Sequence, residues 1–480
     1  MKKFRHIHFV GIGGIGMSGI ARIMILMGYN VSGSDIKSNN LTSELEQLGC
    51  SIRIGHIAKN IEGADLVVVS AAIPEDNPEL VRAREKGIPI KQRAEMLAYL
   101  MERRFGITVA GTHGKTTTTS MIGWLLENCG LDPTLVIGGE LNDFGANAKL
   151  GRLPYFVAEA DESDASFLNL NPRISVITGT DVDVNLNYKE FKKMNFDYHL
   201  IWNSVQDMFL EFIHCTHPEG KVIICTEKEY TKKLIPLIRR PFMTYGIGEG
   251  YTLKAENPVL SRLSSTFQVL LKDKLLGDVK LNVPGRHNVL NSLAAIAVGL
   301  ELGLDFKQIS GALSKFSGVQ RRFQIIGEKC GIMVIDDYAH NPTKIKAALA
   351  TAAGMGRNRI IAVFQPHRYT RTRLLLDQFR DTFDLADIVL VMPIYSAGED
   401  PIKGIDSNYL ANVIKQGSCK TEVRQVSSEE EVISIITSES RAGDLIITLG
   451  AGDVNLTARK ISQSLANKTN GRELPLLHAV

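Results

Sequence analysis

Seven consecutive residues, Gly111-Thr112-His113-Gly114-Lys115-Thr116-Thr117, have the types and spacing that phosphate chemistry needs. Glycines let a turn fold tightly enough for backbone N–H groups to point at phosphate oxygens. Lys115 adds a positive point charge for the β- and γ-phosphates, and Thr116 a hydroxyl for Mg²⁺. The general phosphate-loop pattern places four residues between its first glycine and the Gly-Lys pair. Here two residues separate Gly111 from Gly114. The loop is expected to bind ATP; the bland alternative is a glycine turn followed by a capping threonine.

Other residues could do related chemistry. Gly11, Gly13 and Gly16, with Gly14 between them, fit G-x-G-x-x-G. Asp35 follows the next predicted strand, where an acid can hold a ribose. Alone this pattern suggests a dinucleotide site, but it has many uses. Ser70 and Ala71 follow another strand, and Ser70 would serve equally well as a turn cap. Glu159, followed by Asp161, Glu162 and Asp164, places oxygen ligands beside the phosphate loop, as Mg²⁺ prefers; the last three would equally be solvated loop charges. His287, Asn288 and Asn291 stand at the head of an Ala-rich run, where an Asn also caps helices. Arg368, Arg371 and Arg373 follow a strand, and residues three apart can share a helical face. A guanidinium fork matches a carboxylate bidentately.

The elements that must position these residues alternate. Strands are expected at His6–Val10, Asn30–Gly33, Leu66–Ser70 and Ile88–Ile90, with a helical run Ser18–Met27. Strands at Gly106–Ala110, Tyr155–Glu159, Ile174–Thr178 and Lys221–Cys225 follow, with a helix at about Lys115–Cys129. Tyr251–Val283 reads as antiparallel hairpins and Asn288–Leu302 as a helix. Strands at Met333–Ile335, Ile360–Phe364, Ile388–Met392 and Leu445–Leu449 close the series, and the tail after Lys468 reads as frayed. Strand–helix alternation predicts parallel α/β sheets. The expected division is 1–97, a Rossmann-like unit; 98–317, a P-loop ATPase-like unit; and 318–480, a second Rossmann-like unit. A length of 480 residues fits three domains at ~150 residues each.

Composition narrows the class. A hydrophobic share of 44% and a charged share of 22% are ordinary for a soluble protein. The net charge of +3 gives no footprint for nucleic acid. No apolar run is long enough for a membrane span, and the N-terminus has no signal-peptide pattern. The six cysteines form no C-x-x-C pair, so reduced thiols of a cytoplasmic protein are expected.

Six further motifs share one source with the short phosphate loop. They are HFVGIGGIGMSG at 8–19, EADESDASF at 159–167, PGRHN at 284–288, RRF at 321–323, DDYAH at 336–340 and FQPHRYTRTR at 364–373. In this order the chain resembles the Mur ligases over nearly its whole length. The opening motif resembles the branch that joins L-alanine to UDP-N-acetylmuramate, in the synthesis of peptidoglycan precursors. The resemblance implies that the first unit binds the UDP of the muramyl nucleotide through Gly11, Gly13, Gly14, Gly16, Asp35 and Ser70. It places Asn288 and Asn291 near adenine and Asp337 on the ATP ribose. Arg322 would reach the ATP phosphates, and Thr116 and Glu159 would hold Mg²⁺. Arg368 and Arg371, with Tyr338 and His340, would meet alanine and the muramyl carboxylate. Lys115, Arg322, His340, Arg368 and Arg371 are thus the expected catalytic set. A monomer or homodimer is expected.

The chain also departs from that family. Gly179 stands where Asn is usual, Asn341 where a second His is common, and Val184 where a metal-binding His is expected. Asp181 and Asp183 keep their places, and the stretch from Phe191 to Phe212 is longer than usual, with His199 inside it. Valine cannot ligate a metal. Three readings follow: a ligase with one weakly held ion, a nucleotide-binding paralogue without turnover, or a ligase impaired in this segment. The related ligase that recycles murein peptide is a further alternative.

Overall fold

The computed structural model describes residues 4–139, 146–161, 166–180, 198–417 and 420–470. Three sheets carry the chain in sequence order. The first contains β1 (His6–Val10), β2 (Asn30–Asp35), β3 (Ser51–Ile54), β4 (Leu66–Val69) and β5 (Ile90–Gln92). Its order is β3-β2-β1-β4-β5, all parallel. A parallel sheet covered on both faces favours continuous apolar strands, and β4 reads LVVV with every residue buried.

The second sheet holds β6 (Phe105–Ala110), β7 (Thr134–Val136), β8 (Ala148–Lys149), β9 (Tyr155–Glu159) and β10 (Ile174–Ile177). It continues with β11 (Lys221–Cys225), β12 (Phe242–Ile247), β13 (Leu253–Leu260), β14 (Ser265–Leu271) and β15 (Lys274–Leu281). The order is β15-β14-β13-β12-β11-β10-β6-β9-β7-β8. The stretch expected as hairpins is the antiparallel β13-β14-β15 meander at one edge. The third sheet holds β16 (Gln324–Lys329), β17 (Ile332–Asp337), β18 (Arg359–Phe364), β19 (Ile388–Val391), β20 (Glu422–Gln425) and β21 (Asp444–Leu449), in the order β16-β17-β21-β18-β19-β20.

Side chains alternate across a strand with a period of two, and this alternation divides the cores. In β11, Val222 and Ile224 join one cluster while Ile223 and Cys225 join another. The first of these clusters also contains Ile20, Met24 and Leu97 from the opening unit, packed with Phe156, Phe209 and Phe212 of the middle one. One face of the second sheet is therefore sealed by the first unit. The third sheet buries its own two faces, with residues from Phe323 to Leu465 alone.

The sequence expectation differs from the structure mainly at element ends and edges. The first helix is Ile15–Leu26, three residues earlier than expected, because the glycine turn itself leads into it; Ser18 N donates to Gly14 O at 2.8 Å. Strands β3, β7, β8, β12, β16 and β20 lie outside the expected series. β3 and β20 have no fully buried residue, so they carry little apolar signal. The tail after Asn470 lies outside the described residues. The five described cysteines are free thiols. Among the described residues no helix is long and apolar enough to cross a membrane.

Candidate active site

The loop 111–117 joins β6 to the helix Lys115–Asn128. Its glycines sit where side chains cannot. Gly111 has φ +135°, and a Cβ there would meet Thr178 Oγ1 at 2.3 Å. Gly114 has φ +79°, and a Cβ would meet Asn291 Oδ1 at 2.6 Å. Lys115 Nζ donates to Gly111 O at 2.7 Å, so the ammonium lies across the mouth of its own loop. Thr112 Oγ1 donates to Gly179 O at 3.3 Å, which ties the loop to the end of β10. His113, Gly114, Thr116 and Thr117 line a cavity of about 500 Å³.

Thr116 is the meeting point of two units. Its hydroxyl donates to Glu159 Oε2 at 3.0 Å and accepts from Arg322 Nη2 at 3.3 Å. Gly138 N donates to the same Glu159 oxygen at 3.0 Å, and a Cβ on Gly138 would stand 2.4 Å from it. The carboxylate therefore rests in a cradle that glycine permits. A hydroxyl beside a carboxylate is an all-oxygen donor pair, and it fits Mg²⁺, which completes its shell with water and phosphate oxygens. Among the described residues no group of three or more His, Cys, Asp or Glu could hold a metal ion. Val184, Asp181, Asp183, Glu162 and Asp164 lie outside the described residues, as does the side chain of His199. Gly179 borders the cavity.

The far wall is built by the helix Arg286–Glu301 and by the third sheet. Asn288 and Asn291 are buried and line the cavity. Asn288 Nδ2 donates to Pro284 O at 2.7 Å, and Thr118 Oγ1 donates to Asn291 Oδ1 at 3.1 Å, locking this helix to the one after the phosphate loop. Asp337 ends β17, and its carboxylate accepts from Phe323 N and Ala339 N, each at 2.7 Å. Burial raises its pKa to about 6, against the opposing pull of Arg322. Burial, with Arg322 nearby, holds His287 down at about 4, so this ring is neutral at pH 7. His287 also borders the cavity.

A second cluster lies beyond Arg322 in the third unit. The Tyr338 ring has Arg321 and Arg322 over it at 4.8 and 5.0 Å and meets the His340 ring edge-on at 5.4 Å. His340 Nδ1 is 2.8 Å from Tyr338 O, and burial lowers its pKa well below the usual value. His367 Nδ1 accepts from Arg371 Nη1 at 2.9 Å, and burial beside that guanidinium brings the imidazole to about 3. Arg368 stands at the start of the same short helix with φ +71°, a left-handed conformation that is rare for arginine. Arg371 is buried, whereas Arg373 lies on the opposite, exposed side.

The glycine turn at 11–16 forms a third group. Gly13 N donates to Asp35 Oδ2 at 2.8 Å, and Gly11 has φ +79°. Asp35 thus braces the turn through one oxygen. Ser70 Oγ accepts from Ala72 N at 3.4 Å, the turn-capping geometry. Sequence reasoning missed Arg93. Its guanidinium lies over Gly16, where a Cβ would stand 3.1 Å from Nη1, and it pairs with Asp161 at 3.7 Å. It also missed Asn147, whose Nδ2 donates to Ile15 O at 2.6 Å from the middle unit. Neither residue belongs to a glycine or acid motif, so only the folded juxtaposition reveals them.

With this geometry in hand, comparison with known proteins is informative. Residues 6–105 match the model described as Mur ligase family, catalytic domain; 109–299 match the Mur ligase middle domain; and 321–452 match the Mur ligase glutamate ligase domain. A UDP-N-acetylmuramate–L-alanine ligase of Geotalea daltonii is 45% identical over 96% of this chain and 98% of its own length. One from Syntrophotalea carbinolica is 46% identical over 94% of this chain and 96% of its own. The crystal structure of a UDP-N-acetylmuramate–alanine ligase from Thermotoga maritima superposes with a TM-score of 0.78 at 31% identity, covering 97% of this chain and 100% of that one. A murein peptide ligase from Psychrobacter arcticus gives 0.70 at 26% identity, covering 96% and 99%. The chain belongs to the Mur ligase family, in the group of the UDP-N-acetylmuramate–L-alanine ligases.

Proposed function

We propose that this protein joins L-alanine to the lactyl carboxylate of UDP-N-acetylmuramate, converting ATP to ADP and phosphate. The observation that carries the reading is the contact of Arg322 with Thr116 across a cavity that Asp337 and the phosphate loop also border. The relatives at 45–46% identity act on this substrate pair by name. The murein peptide ligase is the more distant neighbour at 26%. The similarity to named ligases over nearly the whole chain disfavours the paralogue without turnover.

A carboxylate resists attack by an amine because oxide is a very poor leaving group. Transfer of the γ-phosphoryl group to the lactyl oxygen gives an acyl phosphate. The amine of L-alanine then attacks the carbonyl carbon and phosphate departs, leaving the amide. Proximity and charge neutralisation supply most of the acceleration. Lys115 swings from Gly111 O onto the β- and γ-phosphates, and Arg322 neutralises the transferring group. Thr116 and Glu159 are the residues that would hold Mg²⁺, which when bound offsets phosphate charge. Asn288 and Asn291 flank the adenine, and Asp337 holds the ribose hydroxyls. His340, Arg368 and Arg371 orient alanine and the muramyl carboxylate. Burial keeps His340 neutral, so its ring can accept a hydrogen bond from the amine of alanine and orient it. The turn at 11–16, with Asp35 and Ser70, receives the UDP diphosphate at a helix N-terminus. In this reading the domains are 1–97, 98–317 and 318–480, and the enzyme works in the cytoplasm.

The direct test is ADP release with UDP-N-acetylmuramate and a panel of nucleophiles: L-alanine, glycine, L-serine and a murein tripeptide. Turnover with L-alanine well above the rest is expected. Turnover with the peptide alone would assign the recycling reaction, and nucleotide binding without ADP release would assign the inactive paralogue.

A further inference from the structure

A second cavity, of about 520 Å³, lies at the opposite pole of the second sheet. Its lining includes Arg103 and Arg104, which lead into β6, Phe105, which opens it, Arg173, which precedes β10, and His217, which precedes β11. It therefore opens at the amino ends of three parallel strands. The phosphate loop leaves the carboxyl end of β6, six residues on, so about 20 Å separate the two sites. No step of the ligation uses this cavity.

Its chemistry is that of an oxyanion receptor. Three arginines, Arg103, Arg104 and Arg173, and one acid, Glu102, are among its lining residues. Arg104 is partly buried, enough for desolvation to lower its pKa, and its Nη1 donates to the neutral Thr134 Oγ1 at 2.6 Å. A partly buried cation whose partner among the described residues is a neutral hydroxyl gains from an anion placed beside it. Arg173 Nη1 is fixed at 2.9 Å by His217 Nδ1, which accepts its hydrogen bond, and at 3.1 Å by the exposed Glu219. Arg103 occupies the left-handed region at φ +65°, a conformation that costs an arginine about 1 kcal/mol or more and often marks a functional turn. The amides of Asn169 and Asn171 add polar groups, and Ala98, Met101 and Phe105 supply an apolar wall.

We propose that this cavity binds a small oxyanion, a phosphate or carboxylate group carried by a metabolite, through Arg103, Arg104 and Arg173. The anion sits at the connection between the first and second units and touches the strand that carries the phosphate loop.

Calorimetric titration of the full-length protein tests this, with the phosphate loop first saturated by Mg²⁺ and a non-hydrolysable ATP analogue. Inorganic phosphate and malonate are the probes. At least one should bind to a single additional site. Arg103→Gln should weaken that binding by about tenfold or more, the usual loss for a charge-assisted hydrogen bond, whereas Arg103→Lys retains most of it. Arg173→Gln should act like Arg103→Gln, and both variants should keep the wild-type KM for ATP. Phosphate bound in preference to malonate identifies a phosphate ester, and the reverse identifies a carboxylate. Absence of a second site for both probes, or binding unchanged in Arg103→Gln and Arg173→Gln, would overturn the proposal.

Discussion

One junction between units is filled and the other holds a cavity. Where the first unit meets the second, one hydrophobic cluster runs through both, from Ile20 and Leu97 to Phe156 and Phe212. Where the second meets the third, the contact surrounds a cavity that mixes charged groups such as Arg322 and Asp337 with apolar ones such as Leu290, Phe316 and Ala347, and Arg322 reaches Thr116. An apolar junction of that extent resists opening, because separation would return its buried surface to water. A junction left open by a ligand-sized gap gains stability when a ligand bridges it. Under the proposed function the difference predicts that the first and second units act as one body and that ATP stabilises the contact of the third with the second. If Arg322 and Asp337 hold ATP as proposed, they would make catalysis conditional on that contact.

Predictions that separate the two junctions run from large to small. Phe156→Ala removes a fully buried ring from the shared cluster and should cost about 3–5 kcal/mol. Thermal or denaturant unfolding should show the first two units losing stability together. Two separate transitions for them would break the comparison. Arg322→Ala should lower kcat by roughly 10²–10³, as loss of one transition-state charge partner does, while its melting temperature without ATP stays near wild type. An equal loss of stability would make Arg322 a structural strut.

Arg93→Ala probes the smaller polar contact at the first junction. It should raise the KM for UDP-N-acetylmuramate by about tenfold with little change in that for ATP. Parallel rises in both would show that Arg93 acts through folding. A smaller effect concerns pH. Burial raises Asp337 to about 6, so the folded chain holds a proton there that the unfolded chain has released. Its contribution to stability is present at low pH and fades as pH rises through about 6. ATP binding, which needs the carboxylate, should strengthen severalfold over that window, and Asp337→Asn should flatten the profile. Val184→His should yield the smallest gain, a modestly lower Mg²⁺ requirement; an unchanged requirement would show that the native segment already compensates.

Much of this arrangement was legible in residue order because it is local. The phosphate loop needs glycine at Gly111 and Gly114, and the backbone shows why: positive φ at both, and no room for a Cβ. Runs such as LVVV at 66–69 declare buried parallel strands. Other features depend on distance in sequence. Arg93 and Asp161 are far apart in the chain, and the lowered pKa of His287 comes from its burial in the fold and then from the distant Arg322. Edge strands such as β20, reading EVRQ, lack the alternation that betrays a half-buried strand. Ser70 illustrates the limit on single residues: its hydroxyl caps a turn, and a role toward UDP must be shared with that bond.

The most direct test of the ligase assignment follows the oxygen atoms. UDP-N-acetylmuramate labelled with ¹⁸O in its lactyl carboxylate is turned over with ATP and L-alanine, and the released phosphate is examined by mass spectrometry. An acyl phosphate intermediate predicts one labelled oxygen in each phosphate formed. Unlabelled phosphate, released at the same rate as the amide, would contradict the account.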